Sequence, residues 1–236
     1  PVVAGLPLDG PGPMRQKANA LPLVSLTGPA NNASFVAPAT IAINATASDS
    51  DGTVAKVEFL RDGVLLGIDT TAPYAYTWSN VPAGVYKLTA RAHDNGGVAS
   101  TSSIVTVQVK ANVVPTVRIT APANNAAYTA PATIAIAVTA TDADGTIGKV
   151  DFYHGATKIG TDTTSPFGFT WNNVGGGTYS ITAKATDDKG GVGASAAIVV
   201  KVNKPPSANV TAPANNASFA APANITLQAS AADADG

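Results

Sequence analysis

Ala47-Ser48-Asp49-Ser50-Asp51-Gly52-Thr53-Val54-Ala55-Lys56-Val57-Glu58-Phe59 reads as the end of one strand, an acidic glycine turn and the start of a second strand. It returns as Ala140-Thr141-Asp142-Ala143-Asp144-Gly145-Thr146-Ile147-Gly148-Lys149-Val150-Asp151-Phe152, and begins a third time as Ala232-Asp233-Ala234-Asp235-Gly236. From Asp49 to Asp142 is 93 residues, and from Asp142 to Asp233 is 91. That period exceeds the roughly 20–50 residues of solenoid units and suits one small β-sandwich of about 100 residues. The sequence thus divides into a linker or arm at 1–21, a first unit at 22–111, a second at 112–203, and a partial third at 204–236 with only its first two strands.

Outward from the quoted stretch, each unit reads as a run of short strands. In the first, Val24–Thr27 is a strand and Gly28-Pro29-Ala30-Asn31-Asn32 a turn cluster. Thr40 to Ala47 alternates Ile41, Ile43, Ala45 and Ala47 with Ala42, Asn44 and Thr46, which predicts a strand with one buried face. Val54–Leu60 and Val64–Ile68 flank the hairpin signal Arg61-Asp62-Gly63. Tyr74, Tyr76 and Trp78 alternate along the next strand, then Tyr86, Leu88, Ala90 and Ala92, then Val105, Val107 and Val109. Seven strands with turns every 8–12 residues predict an antiparallel sandwich. The second unit repeats the pattern, with Trp171 for Trp78, Tyr179 for Tyr86 and Asn124-Asn125 for Asn31-Asn32; Lys204-Pro205-Pro206 is a stiff linker.

Composition narrows the function classes. Only 12% of residues are charged and the net charge is −1, which offers nothing to capture nucleic acid or an anionic membrane. No apolar run approaches the ~18 residues of a membrane span, and the start lacks the basic and apolar regions of a signal peptide. The absence of cysteine excludes disulfides and thiolate metal sites. His93 and His154 fall at different repeat positions, and neither pairs with a recurring Ser or Cys, so no catalytic triad, phosphate loop or zinc set can be assembled. The sequence is therefore read as non-enzymatic. Five Asn-x-Ser/Thr sequons, at Asn32, Asn44, Asn209, Asn216 and Asn224, carry no weight in a chain this rich in those residues.

The order Pro-Ala-Asn-x-Ala, Ala-x-Asp-x-Asp-Gly-x-x-x-x-Val-x-Phe, Gly-x-Asp-Thr-Thr-x-Pro, Trp, and Gly-x-Tyr-x-Leu/Ile-x-Ala-x-Ala-x-Asp resembles the bacterial immunoglobulin-like domain over about residues 22–236. The resemblance implies an all-β fold of tandem immunoglobulin-like antiparallel sandwiches, about seven strands each. It also implies a secreted or cell-surface protein. Family members serve as stalks of adhesins and as spacer modules of extracellular polysaccharide-degrading enzymes. Antibody-type cysteines are missing, and Ile43 with Leu88, or Ile181 in the second unit, is expected to fill their space.

Two residue classes are candidates for chemistry. Tyr86 and Tyr179 stand after a glycine turn as a tyrosine corner does, ring in the core and hydroxyl on nearby backbone. Trp78 and Trp171 suit either core packing or sugar stacking, and their place in alternating strands favours the core. The turn carboxylates Asp49, Asp51, Asp69 and Asp94 are expected at one pole of the first unit, and Asp142, Asp144, Asp162, Asp187 and Asp188 at the same pole of the second, facing the linker. Such oxygens suit Ca2+, which takes six to eight; ordinary Asp–Gly turn chemistry also explains them. A glycosidase pair is not expected, because nothing builds a cleft around these turns.

The expected function is a stalk of a cell-surface adhesin, or the subunit of an extracellular filament joined through the arm and the partial third unit. The alternative is a carbohydrate-binding or spacer module of a secreted polysaccharide-degrading enzyme. Expected partners are other copies of the chain or flanking domains of a longer one, with a surface glycan as a further candidate. Exposure of Tyr74, Tyr153 or Trp78 in a shallow groove would favour glycan binding.

Overall fold

The computed structural model describes residues 18–233, and every regular element among them is a β-strand. The chain divides into two compact units, 1–111 and 112–236. The expected arm at 1–21 therefore lies almost wholly outside the described residues.

Unit 1 holds β1 (Leu23–Gly28), β2 (Ala33–Val36), β3 (Ala39–Ser48), β4 (Val54–Arg61), β5 (Val64–Asp69), β6 (Tyr74–Val81), β7 (Gly84–Asp94), β8 (Ala99–Thr101) and β9 (Val105–Lys110). One sheet has the order β1-β3-β6; the other runs β2-β9-β7-β4-β5, with β8 added to β7. The seven expected strands are all present. The alternation that predicts β3 is kept: Ala39, Ile41, Ile43 and Ala45 are buried while Thr40, Ala42, Asn44 and Thr46 are exposed. Phe59, Ile41, Ile43, Leu88, Val57, Val81 and Val107 are fully buried between the sheets, each contributing about 1.5–3 kcal/mol by leaving water. Ile43 and Leu88 lie in this core as expected.

Two strands go beyond the seven. β8 pairs with the end of β7 that β9 does not reach, over three residue pairs. β2 arises because the chain leaves β1, which is antiparallel to β3, and crosses to pair in parallel with β9. The turn cluster performs the crossing. Asn32 adopts φ 64°, a conformation Asn tolerates better than most residues, and its N–H donates to the Thr106 carbonyl at 2.7 Å. Asn31 Oδ1 accepts the Thr106 N–H at 2.9 Å. The Asn-Asn pair thus docks the switch onto the last strand.

Unit 2 repeats the plan with β10 (Thr116–Ala121), β11 (Ala126–Thr129), β12 (Ala132–Thr141), β13 (Ile147–His154), β14 (Thr157–Asp162), β15 (Phe167–Val174), β16 (Gly177–Asp187), β17 (Val192–Ala194) and β18 (Ile198–Asn203). Its sheets are β10-β12-β15 and β11-β18-β16-β13-β14 with β17 on β16. Asn124 and Asn125 hold the same switch against Val199, and Phe152, Ile134 and Ile181 fill the same core. After it, β19 (Ser207–Ala212) and β20 (Gln228–Ala232) form a two-stranded antiparallel pair.

Candidate functional site: the acidic pole of each unit

The β3–β4 and β7–β8 turns meet at one end of unit 1. Asp94 closes β7 and is only 3% exposed. Its Oδ1 accepts the N–H groups of Gly96 (2.9 Å) and Val98 (2.8 Å), and its Oδ2 accepts the Asn19 side-chain amide (2.8 Å). Burial pushes the Asp94 carboxyl up, but these donors more than offset it and hold it below the usual range. Both oxygens of Asp51 accept the Ala20 N–H, at 3.2 and 3.1 Å. Asn95 is pinned to the facing turn: its Oδ1 accepts the Thr53 N–H at 3.1 Å, and its N–H donates to the Thr53 carbonyl at 3.0 Å. A Cβ at Gly52 would crowd Asn95 Oδ1 and lie 2.6 Å from Asp49 Oδ2, so a larger residue there would displace these side chains. Both oxygens of Asp49 are shut off from solvent and accept no hydrogen bond.

Unit 2 has the same construction. Asp187, 5% exposed, accepts the Lys189 and Gly191 N–H groups and the Asn112 amide, each at 2.8 Å. Burial raises the Asp187 pKa, and again the donors, Asn112 first, bring it below the usual range. Asp144 accepts the Val113 N–H at 3.2 and 3.1 Å. Asp188 stands where Asn95 does; its Oδ1 accepts the Thr146 N–H at 3.0 Å and its Oδ2 lies 3.1 Å from Lys189 Nζ. Asp142 Oδ2 and Asn112 Oδ1 are enclosed and without a partner.

Asp69 and Asp162 stand apart. Asp69 lies level with Val57 on β4, whereas Asp94 lies level with Val54, a difference of about 10 Å along the strand. Asp69 is spent on its own turn, accepting the N–H groups of Ala75 (2.9 Å) and Thr71 (3.0 Å), which hold its pKa down. Asp162 does the same with Gly168 and Thr164.

Among the described residues no three acidic or histidine side chains form a group that could hold a metal ion. The unpartnered oxygens of Asp49, Asp142 and Asn112 are nonetheless hard donors of the kind calcium takes. An enclosed carboxylate without a donor is costly until a cation covers it. The described aspartates do not form a cage of several carboxylates around one ion.

Sequence reasoning missed Asn19 and Asn112. Their signal was present: Lys17-Ala18-Asn19 recurs as Lys110-Ala111-Asn112, at the offset already found. The stretch before the first strand therefore belongs, from Asn19 onward, to the pole of unit 1.

The aromatic candidates are engaged internally. Tyr86 Oη donates to the Pro82 carbonyl and Tyr179 Oη to the Gly175 carbonyl, each at 2.9 Å, as a tyrosine corner requires. Trp78 packs against the core with its ring 5.0 Å from Tyr86, and the Arg61 guanidinium lies 5.6 Å over it. Trp171 packs likewise against Tyr179 at 5.1 Å and His154 at 5.4 Å. Tyr74 is buried at 7% exposure. Tyr153 is half-buried, with Lys184 Nζ 4.9 Å from its ring centre. These placements count against an open stacking platform.

A family model described as a bacterial Ig domain matches residues 22–90 and again 115–183, more than half of the chain. Exoglucanase B of Cellulomonas fimi is 36% identical over 140 residues, which make up 56% of this chain and 13% of that protein. The chain thus spans a small part of this curated relative. A solved structure of the fibronectin(III)-like modules of Clostridium thermocellum CbhA is 36% identical, covering 76% of this chain and 93% of that one, with a TM-score of 0.39. The three N-terminal domains of the highly immunogenic outer capsid protein of bacteriophage RB49 are 15% identical over 89% of this chain and 70% of theirs, with a TM-score of 0.41.

Proposed function

The chain belongs to the bacterial Ig domain family, and from that membership we propose that its units are spacer modules of a secreted polysaccharide-degrading enzyme, with no catalysis of their own. The observation that carries this reading is the 36% identity shared with a stretch of an exoglucanase. It favours the enzyme module over the adhesin stalk or filament subunit that the sequence alone placed first. The internal engagement of Trp78, Trp171 and Tyr74 favours a spacer over a glycan-binding module. The units' work is to hold neighbouring domains at a set distance outside the cell.

The test is the native secreted polypeptide, isolated with proteases blocked and weighed intact, alongside a cellulose pull-down of the 236-residue chain. The expected polypeptide is far heavier than 236 residues and carries a glycosidase domain, and the chain stays in the supernatant. A native product of 236 residues, or a heavier one without a glycosidase domain, would overturn the reading. Retention on cellulose would convert it to the carbohydrate-binding alternative.

A second reading rests on Asp49. Its enclosed, unpartnered carboxylate, with Asp142 and Asn112 in unit 2, supports a weakly held calcium ion that neutralises each pole and stiffens its turns. With an affinity of ~10⁻⁴–10⁻³ M, about 10 mM calcium raises stability by about 1–3 kcal/mol over the chelated protein, a shift of several degrees in Tm. Asp49→Asn should abolish the share of the shift due to unit 1. Equal melting with calcium and with chelator, together with no heat of binding in calorimetry, would remove the site.

A further inference from the structure

Asn95–Gly96 is the only Asn–Gly pair in the sequence, and it sits in the β7–β8 turn with both residues exposed. Three features of its surroundings point the same way. The Thr53 N–H donates to Asn95 Oδ1 at 3.1 Å, which polarises the side-chain carbonyl as an oxyanion donor does. The Gly96 N–H donates to Asp94 Oδ1 at 2.9 Å, so the adjacent backbone nitrogen is already hydrogen-bonded to a carboxylate able to take its proton. At the equivalent place unit 2 carries Asp188, whose Oδ1 accepts the Thr146 N–H at 3.0 Å. An aspartate therefore fits this turn with the same contact that Asn95 makes.

We propose that Asn95 is a self-modification site at which the fold converts asparagine to aspartate. The Gly96 nitrogen attacks Asn95 Cγ. Its proton passes by way of the Asp94 carboxylate to the departing amide nitrogen, the Cγ–Nδ2 bond breaks, and ammonia leaves. A five-membered succinimide links residues 95 and 96. Water then opens it at one of its two carbonyls, giving aspartate or isoaspartate; the net change is addition of water and loss of ammonia, with no oxidant or reductant.

The product adds a negative charge across Gly52 from Asp49. It has no counterpart to Lys189, because residue 96 is glycine. Modified unit 1 thus acquires the carboxylate of unit 2 without its compensating cation.

The purified chain is incubated at mildly alkaline pH, folded and in parallel unfolded in urea. Residue 95 is followed by peptide mass spectrometry with separation of the isoaspartyl form, and the charge by native isoelectric focusing. Conversion at Asn95 is expected about tenfold faster in the folded chain, well below the roughly hundredfold that a positioned base or oxyanion donor supplies in an enzyme. Asp94→Asn should bring the folded rate down to the unfolded one and leave the unfolded rate unchanged. Equal or slower conversion in the folded parent would overturn the proposal, and that comparison stands whether or not the Asp94 variant folds. A folded Asp94→Asn protein that converts as fast as the parent would also overturn it.

Discussion

Units 1 and 2 share a fold and differ on the outer face of the larger sheet. In unit 2, Asp151 is 7% exposed and held by Lys149 (2.9 Å), Lys158 (2.6 Å) and Thr161 (2.6 Å). In unit 1 the same place holds Glu58, bonded to Lys56 at 2.5 Å and lying 3.0 Å from His93 Nε2. Beside Glu58, Leu65 and Ile68 stand exposed where unit 2 has Lys158 and Thr161. What the two units share is what closes the sandwich: the Asn-Asn switch, the tyrosine corner, Asp94 or Asp187, and a central Phe. What differs is side chains that point outward from it. The fold leaves that face free to vary, and within the turns it keeps the residues that close the sandwich while others, such as Asn95 against Asp188, differ.

If the shared residues carry the fold, Phe59→Ala and Phe152→Ala should each cost about 3–5 kcal/mol. Each should lower the unfolding transition of its own unit and leave the other unmoved. Hydrogen exchange read separately over 22–111 and 112–203 checks this, and a loss spread equally over both units would break the picture of independent units.

The differing networks give a smaller effect. Asp151→Asn should cost about 1–2 kcal/mol, because two half-exposed lysines lose a hydrogen-bonded partner, and Glu58→Gln about 1 kcal/mol or less. Both carboxyls sit below their ordinary values. For Asp151 burial works upward and Lys158, Thr161 and Lys149 more than offset it; for Glu58 the Lys56 and His93 bonds dominate. A depressed folded-state pKa gives stability that is complete above the unfolded value of ~4 and is lost as pH falls through and below it. Acid melting of the parent and of Asp151→Asn should therefore begin to converge as pH falls below about 4 and meet only at the far lower pH where Asp151 is protonated in the folded protein. A difference that persists there would show that packing, not charge, is what Asp151 supplies.

The smallest effect separates bond from ring. Tyr86→Phe and Tyr179→Phe remove only the hydroxyl bond to Pro82 or Gly175, and each should cost about 1 kcal/mol, measured by urea unfolding. Equal losses in both units would confirm that the corner is a shared device.

The alternation of Ile41, Ile43 and Ala45, the Asp–Gly turns and the glycine before Tyr86 are local signals, and from them seven strands per unit could be read in advance. β2 was invisible because its four residues acquire strand geometry from β9, more than seventy residues away in the chain, and Asn31 and Asn32 looked like ordinary turn formers. The acidic pole was half legible. Turn carboxylates announce themselves by the glycine that follows, but their saturation by backbone N–H groups, and the approach of Asn19 and Asn112, depend on how the turns meet. Asp69 and Asp162 looked like members of the same group because strand order brings them to the same end; depth along the strand and their own turns keep them out.

The parallel pairing of β2 with β9 also decides how a unit answers tension. A tether drawn taut pulls its first and last strands in opposite senses along a common axis. In an antiparallel pair joined at one end, the rungs open in succession under small loads. Here, once β1 has yielded, the four rungs from Ala33–Val107 to Val36–Lys110 are sheared together, so no single hydrogen bond can fail alone. The short strand that local patterning did not reveal is the clasp that lets the unit stretch little before it gives way.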